Sequence, residues 1–199
     1  MIIFDLDGTL ADCEHRRHFV DPSKRDDCYY HSLSDLNQME GWYYNDRFKM
    51  GEPPRPMRFD PDWKAFYEAC EQDKPILPVF SFFNTIRQYT DVQIWSGRCE
   101  SVREKTIHWF MNKVPIRPHY WNEESWNYVL KMRPIGDNTP DDQLKERWLD
   151  EYLSLPTMDT VGGDINNVEF VFDDRPKVVR MWRRRGIFVF NCAQHDGEF

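Results

Sequence analysis

Asp5 and Asp7 stand two residues apart behind a short apolar run, in the string Ile2-Ile3-Phe4-Asp5-Leu6-Asp7-Gly8-Thr9. Side chains on an extended chain alternate faces, so both carboxylates are expected on one side. Like charges that close repel, and a cation or a shared proton has to compensate them. Gly8 allows a tight turn, and Thr9 offers a hydroxyl beside both acids. The chemistry this favours is metal binding at the carboxyl end of a strand, where open α/β sheets hold their ligands. Taken alone, the same string is also an ordinary turn.

Matching pieces follow downstream. Trp95-Ser96-Gly97-Arg98 comes after the apolar Val92 and Ile94, Lys145 lies in a helix-like segment, and Asp173-Asp174 follows Phe170-Val171-Phe172. In this order the four motifs resemble those of the haloacid dehalogenase (HAD) superfamily of phosphotransferases. Two stretches resemble something narrower, the 3′-phosphatase domain of phage polynucleotide kinase-phosphatase. One is Met132-Arg133-Pro134-Ile135-Gly136-Asp137, followed by Asp141-Asp142-Gln143-Leu144-Lys145; the other runs from Phe172 to Gly186 through Asp173-Asp174-Arg175-Pro176. The resemblance covers residues 1–20 and about 62–192. Where the related domain has a basic residue, this chain has Thr139. No Gly-x-x-x-x-Gly-Lys-Ser/Thr phosphate loop occurs, so a phosphatase activity would stand alone in this chain.

The resemblance implies a Mg²⁺-dependent phosphomonoesterase that removes 3′-phosphates from nucleic acid ends. A phosphatase of free nucleoside monophosphates is the alternative, and an inactive fold used for binding is a remote third. Asp5 would be the nucleophile, ionised at neutral pH because a free aspartate has a pKa near ~3.9. Asp7 would protonate the leaving oxygen and then activate water, a role that calls for a pKa raised by crowded carboxylates. Mg²⁺ prefers oxygen ligands, here Asp5, the backbone carbonyl of Asp7 and Asp173, with Asp174 acting through water. Ser96 and Gly97 would hold phosphoryl oxygens, and Lys145 would offset their charge. Thr9, Arg16, Arg17, Arg98 and Arg133 are the further candidates for contact with substrate.

The elements that must position these residues read as α/β. Strands are expected at residues 2–4, 92–95, 128–132, 170–172 and 187–190, with helices at 79–89, 100–111, 140–153 and 176–185 between them. Trp63, Phe66, Tyr67 and Cys70 have helical spacing, and Thr139 is a candidate N-cap. Such alternation predicts a doubly wound, mostly parallel, Rossmann-like sheet. Residues 1–20 and 62–199 would form this core. Residues 21–61, with five prolines and little apolar periodicity, read as a small inserted cap. Trp42, Tyr43 and Tyr44 cluster there among Arg47, Lys49, Arg55 and Arg58, where they either stack bases or pack the cap itself.

At 199 residues the chain is long enough for one α/β domain and a small insertion. The net charge of −8 argues against non-specific coating of nucleic acid, though not against a local basic groove. Five scattered cysteines suit a reduced, cytoplasmic setting. No apolar run is long enough to span a membrane, the first strand leaves no room for a signal peptide, and no obligatory protein partner is called for. Cys13, His15 and His18 match no closed zinc pattern. The basic run Arg180, Arg183, Arg184 and Arg185 lies opposite Val178, Val179 and Trp182 on a helix and reads as a solvated face.

Overall fold

A computed structural model describes residues 1–21, 24, 61–113, 123–155 and 164–193. The expected cap, with Trp42, Tyr43 and Tyr44, lies outside the described residues. In chain order the strands are β1 (Ile2–Phe4), β2 (Ala11–Asp12), β3 (Lys74–Pro75), β4 (Val92–Cys99), β5 (Leu130–Arg133), β6 (Phe170–Asp173) and β7 (Val189–Asn191). The helices are α1 (Trp63–Glu68), α2 (Leu77–Ile86), α3 (Arg103–Lys113), α4 (Glu123–Val129), α5 (Asp141–Ser154) and α6 (Pro176–Arg184), with a 3₁₀ turn at Glu14–Phe19.

Five strands form one parallel sheet in the order β5-β4-β1-β6-β7. β1 lies at its centre and buries every side chain, as its unbroken apolar run requires. Alternation splits the run between two cores. Ile2 and Phe4 join Phe83, Ile94, Trp109 and Phe110 on one face. Ile3 joins Trp95, Leu144, Trp148, Val171 and Trp182 on the other. Register then fixes the site, because Phe4 pairs with Ile94 on one side and Phe172 on the other. Asp5 and Asp173, the next residues along, therefore leave adjacent strands at one level.

Several expectations are corrected. Tyr128 and Val129 belong to helix α4, and the strand begins only at Leu130. A short apolar run does not by itself tell a strand from a buried helix end. β4 continues past Ser96 to Cys99 with an irregular register, which carries Gly97 and Arg98 on the strand. Pro140, not Thr139, precedes the first turn of α5, while the Thr139 N–H donates to the Asp137 carboxylate. The antiparallel pair β2-β3 was not anticipated, since two-residue strands carry no readable period.

Candidate active site

The carboxyl ends of β1, β4 and β6 meet the first turn of α5 in a cavity of about 370 Å³, lined among others by Asp5, Asp7, Gly97, Arg133, Asp141 and Arg175. Asp5 continues the β1–β6 ladder by donating its N–H to Phe172 O at 2.8 Å. Its side chain lies on the face shared with Ile3, and there α5 packs. Lys145, buried on the inner side of α5 beside Leu144 and Trp148, places Nζ 2.6 Å from Asp5 Oδ1 and 2.7 Å from Asp173 Oδ2. The Arg175 N–H donates to Asp173 Oδ1 at 3.2 Å.

Carboxylate oxygens of Asp5, Asp173 and Asp174 all lie within 4.8 Å of one another. Three hard, anionic donors at this spacing fit a small divalent cation such as Mg²⁺. The electrostatics carry the same mark. Burial raises the Asp5 carboxyl well above its ordinary range; Lys145 opposes this, and Asp173 and Asp174 add to it. Burial and Asp173 raise Asp174 to about 6. A free aspartate ionised in isolation is thus not what the protein alone holds, and the lysine does not fully offset the cluster. A divalent cation would lower these values again.

Asp7 does not share this cluster. The expectation of two carboxylates facing one cation fails because the strand, and with it the alternation of faces, ends at Phe4, and Asp7 finds cations of its own. Arg98 Nε donates to both Asp7 oxygens at 2.9 and 3.1 Å, and Arg98 Nη2 to Oδ1 at 2.5 Å. Arg16 Nη2 donates to the same Oδ1 at 2.6 Å. Burial pushes the Asp7 carboxyl up, but the Arg16 and Arg98 guanidiniums outweigh it and hold the group far below the usual carboxylate range. The raised value expected from crowded acids is therefore corrected. Its cause was a pair of cations that the motif does not reveal.

Arg16 and Arg98 are also not placed to touch a substrate phosphate. Both are fully buried, and both are tied to Asp73, itself 0% exposed. Arg16 reaches Asp73 through Nε and Nη2 at 2.8 Å each, Arg98 through a short contact from Nη2. The Arg16 guanidinium also lies 4.1 Å above the Phe66 ring and bonds Phe66 O, so it pins α1 to the site. Two arginines and two aspartates thereby compensate one another inside the protein, as buried charges must. Arg17 pairs with Glu14 and Asp21 and is not among the cavity-lining residues. His15 bonds Asp73 at 2.9 Å rather than joining a zinc site.

The remaining candidates divide. Gly97 lines the cavity, and a Cβ there would come within 2.7 Å of Asp141 Oδ1, so the close approach of β4 to α5 requires glycine. Ser96 is buried, and its Oγ accepts from the Arg98 N–H at 3.1 Å. Thr9 is buried and donates to Asp174 Oδ1 at 3.3 Å, so it steadies the acidic turn instead of facing the cavity. Arg133 lines the cavity, with Nε on Gly97 O, Nη1 on the carbonyls of Asp137 and Thr139, and a short Nη2 contact to Asp141. Arg184 and Arg185 pair with Glu146, in keeping with a solvated face.

Sequence reasoning passed over Asp73, Asp141 and Arg175. Asp141 closes contacts to both Arg133 and Arg175 at the cavity wall. Its signal was legible, since Asp141 and Lys145 are four apart and share a helix face. Asp73 carried none, because a lone acid before Lys74-Pro75 looks like any turn residue.

A parallel sheet that gathers an acidic first strand, a helix-borne lysine and a paired acidic turn into one crevice defines the haloacid dehalogenase class of phosphatases. Within that class residues 62–199 match the model described as the Polynucleotide kinase PNKP phosphatase domain, and the chain belongs to that family. It is 30% identical over 145 residues to a predicted bifunctional polynucleotide kinase/RNA ligase of Autographa californica nuclear polyhedrosis virus. That match covers 70% of this chain and 18% of the viral protein, so the chain spans less than a fifth of that relative. In fold it is similar to a chain of the Pnkp1/Rnl/Hen1 complex (TM-score 0.54, 21% identity, 98% of this chain and 46% of that one). It is also similar to a predicted phosphatase from Clostridium difficile (TM-score 0.51, 16% identity, 100% and 86%). No helix among the described residues is long and apolar enough to cross a membrane.

Proposed function

We propose that this chain hydrolyses phosphate monoesters through an aspartyl-phosphate on Asp5, with 3′-phosphorylated nucleic acid ends as its substrates. The observation that carries the chemistry is Lys145, whose buried ammonium lies 2.6 Å from Asp5. Such a cation keeps a buried carboxylate available for attack and offsets the charge of an arriving phosphoryl group. The substrate class rests on the family match over residues 62–199.

Asp5, Asp173 and Asp174, with the Asp7 carbonyl, are the residues that would hold Mg²⁺, which when bound supplies charge neutralisation at the phosphoryl oxygens. Asp5 attacks phosphorus as the ester oxygen departs, and Asp7 delivers a proton to that oxygen. Arg16 and Arg98 hold Asp7 ionised in the free protein. The dianionic phosphate arriving beside it counteracts those cations and favours proton uptake by Asp7. In the second half Asp7 takes a proton from water as that water attacks the aspartyl-phosphate, releasing inorganic phosphate and restoring Asp5. Gly97, at the cavity wall where β4 comes close to Asp141, would offer its N–H to a phosphoryl oxygen.

A substrate panel tests the reading. Oligonucleotides with a 3′-phosphate, the same oligonucleotides with a 5′-phosphate, and free nucleoside monophosphates are compared by kcat/KM. The 3′-phosphorylated ends should lead by at least about tenfold, and Asp5→Asn should lose roughly 10⁴-fold or more. Preference for free nucleotides would replace this reading with a nucleotidase. Turnover by Asp5→Asn near the parent's rate would remove the aspartyl-phosphate.

A further inference from the structure

Trp63 is 44% exposed, yet it sits on the wall of the same cavity that holds Asp5 and Asp7. A large aromatic ring on the wall of a charged crevice offers a flat apolar face to whatever enters it. Its placement is not loose. Asp62 accepts the Ala65 N–H at 2.9 Å and caps α1, and Phe66, one turn on, is buried beneath the Arg16 guanidinium. Trp63 meets Phe66 edge-on at 5.7 Å and lies 30° from the plane of Tyr67 at 6.0 Å. Tyr67 lines the cavity too, with its hydroxyl 3.4 Å from Gly97 O. Burial raises that phenol to about 12, so it stays neutral and acts as a ring with a hydrogen-bond tip. The same cavity receives Pro134 and Pro140 from the loop between β5 and α5.

We infer that Trp63, supported by Tyr67, is the platform on which the base of the phosphate-bearing nucleoside stacks. The inference rests on the proposed reading of the site and deepens it. The floor of the cavity is polar and anionic and suits a phosphoryl group with its cation. The Trp63 side is flat, aromatic and uncharged, which suits a base of any identity, because every base has a π-face. A capped helix and the contacts with Phe66 and Tyr67 hold the ring in place, which lowers the cost of ordering it on binding. The site would thus take nucleoside-bearing monoesters of any sequence and disfavour sugar phosphates.

The test compares two 3′-phosphorylated oligonucleotides that differ only in the last residue, one with a base and one with a tetrahydrofuran abasic sugar. In the parent, KM for the abasic end should be higher by on the order of tenfold. In Trp63→Ala that ratio should collapse toward one, and Trp63→Phe should restore most of it. A parent ratio near one overturns the inference without any variant, so a folding failure of Trp63→Ala cannot shelter it. A ratio that survives in Trp63→Ala, or in Trp63→Leu, overturns it as well. Failure of the broader reading looks different: neither 3′-phosphorylated end would be hydrolysed. The same ratio would then be read between a nucleoside monophosphate and deoxyribose 5-phosphate.

Discussion

Lys145→Met isolates the charge balance at the centre of the site. The lysine side chain is 2% exposed, and its Nζ contacts two carboxylates at 2.6 and 2.7 Å. Methionine matches the stem of lysine but carries no charge, so Asp5 and Asp173 would face each other with Asp174 close by. Removing one partner of a buried ion pair costs about 3–5 kcal/mol, most of it the burden of the charges left behind. The loss should be read by urea unfolding in EDTA at neutral pH. It should shrink as pH falls. Asp5 already has a folded-state pKa above its unfolded one, and losing the lysine raises it further. A group of that kind is bound to its proton in the folded state, so acid favours folding. Adding Asp173→Asn to the variant should recover at least half of the loss, and Mg²⁺ should recover part of it. A loss below about 1 kcal/mol in EDTA at neutral pH would refute the claim that Lys145 compensates the cluster.

Gly8 has φ +87°, and a Cβ on it would lie 2.1 Å from Asp174 Oδ2, so Gly8→Ala should destabilise the protein by about 1–3 kcal/mol and lower activity by displacing Asp174; a denaturation curve unchanged from the parent would contradict this. Asp174 supplies a pH dependence in metal-free protein. Its folded pKa of about 6 exceeds its unfolded value, so the unfolded chain releases the proton first and stability falls as pH rises from about 4 to 6. Mg²⁺ should flatten that slope, and calorimetry at several pH values with and without the ion measures both arms. Chelation should abolish turnover, with Mg²⁺ restoring it and Ca²⁺ restoring little, since Ca²⁺ takes more ligands and would engage both oxygens of Asp5; full activity in excess EDTA would exclude the metal requirement.

The sequence by itself determined the frame of this protein. Ile2-Ile3-Phe4 is apolar without alternation, and only a central parallel strand buries both of its faces. From that strand the position of Asp5 at a strand end follows, and the Asp141–Lys145 helix and the acidic pair after Phe172 follow in the same way, because each is local. The partners of those residues were decided by the tertiary structure. Asp5 meets Asp173 through strand register, and Lys145 reaches both only because α5 packs on the face of the sheet that carries Ile3 and Trp95. The fate of Asp7, Arg16 and Arg98 was illegible for a physical reason. An arginine near a motif for phosphate chemistry looks the same whether it is to meet a phosphate or a buried acid. What settles it is Asp73, carried in by the turn before β3 and sealed beneath α1, where an unpaired carboxylate could not be buried.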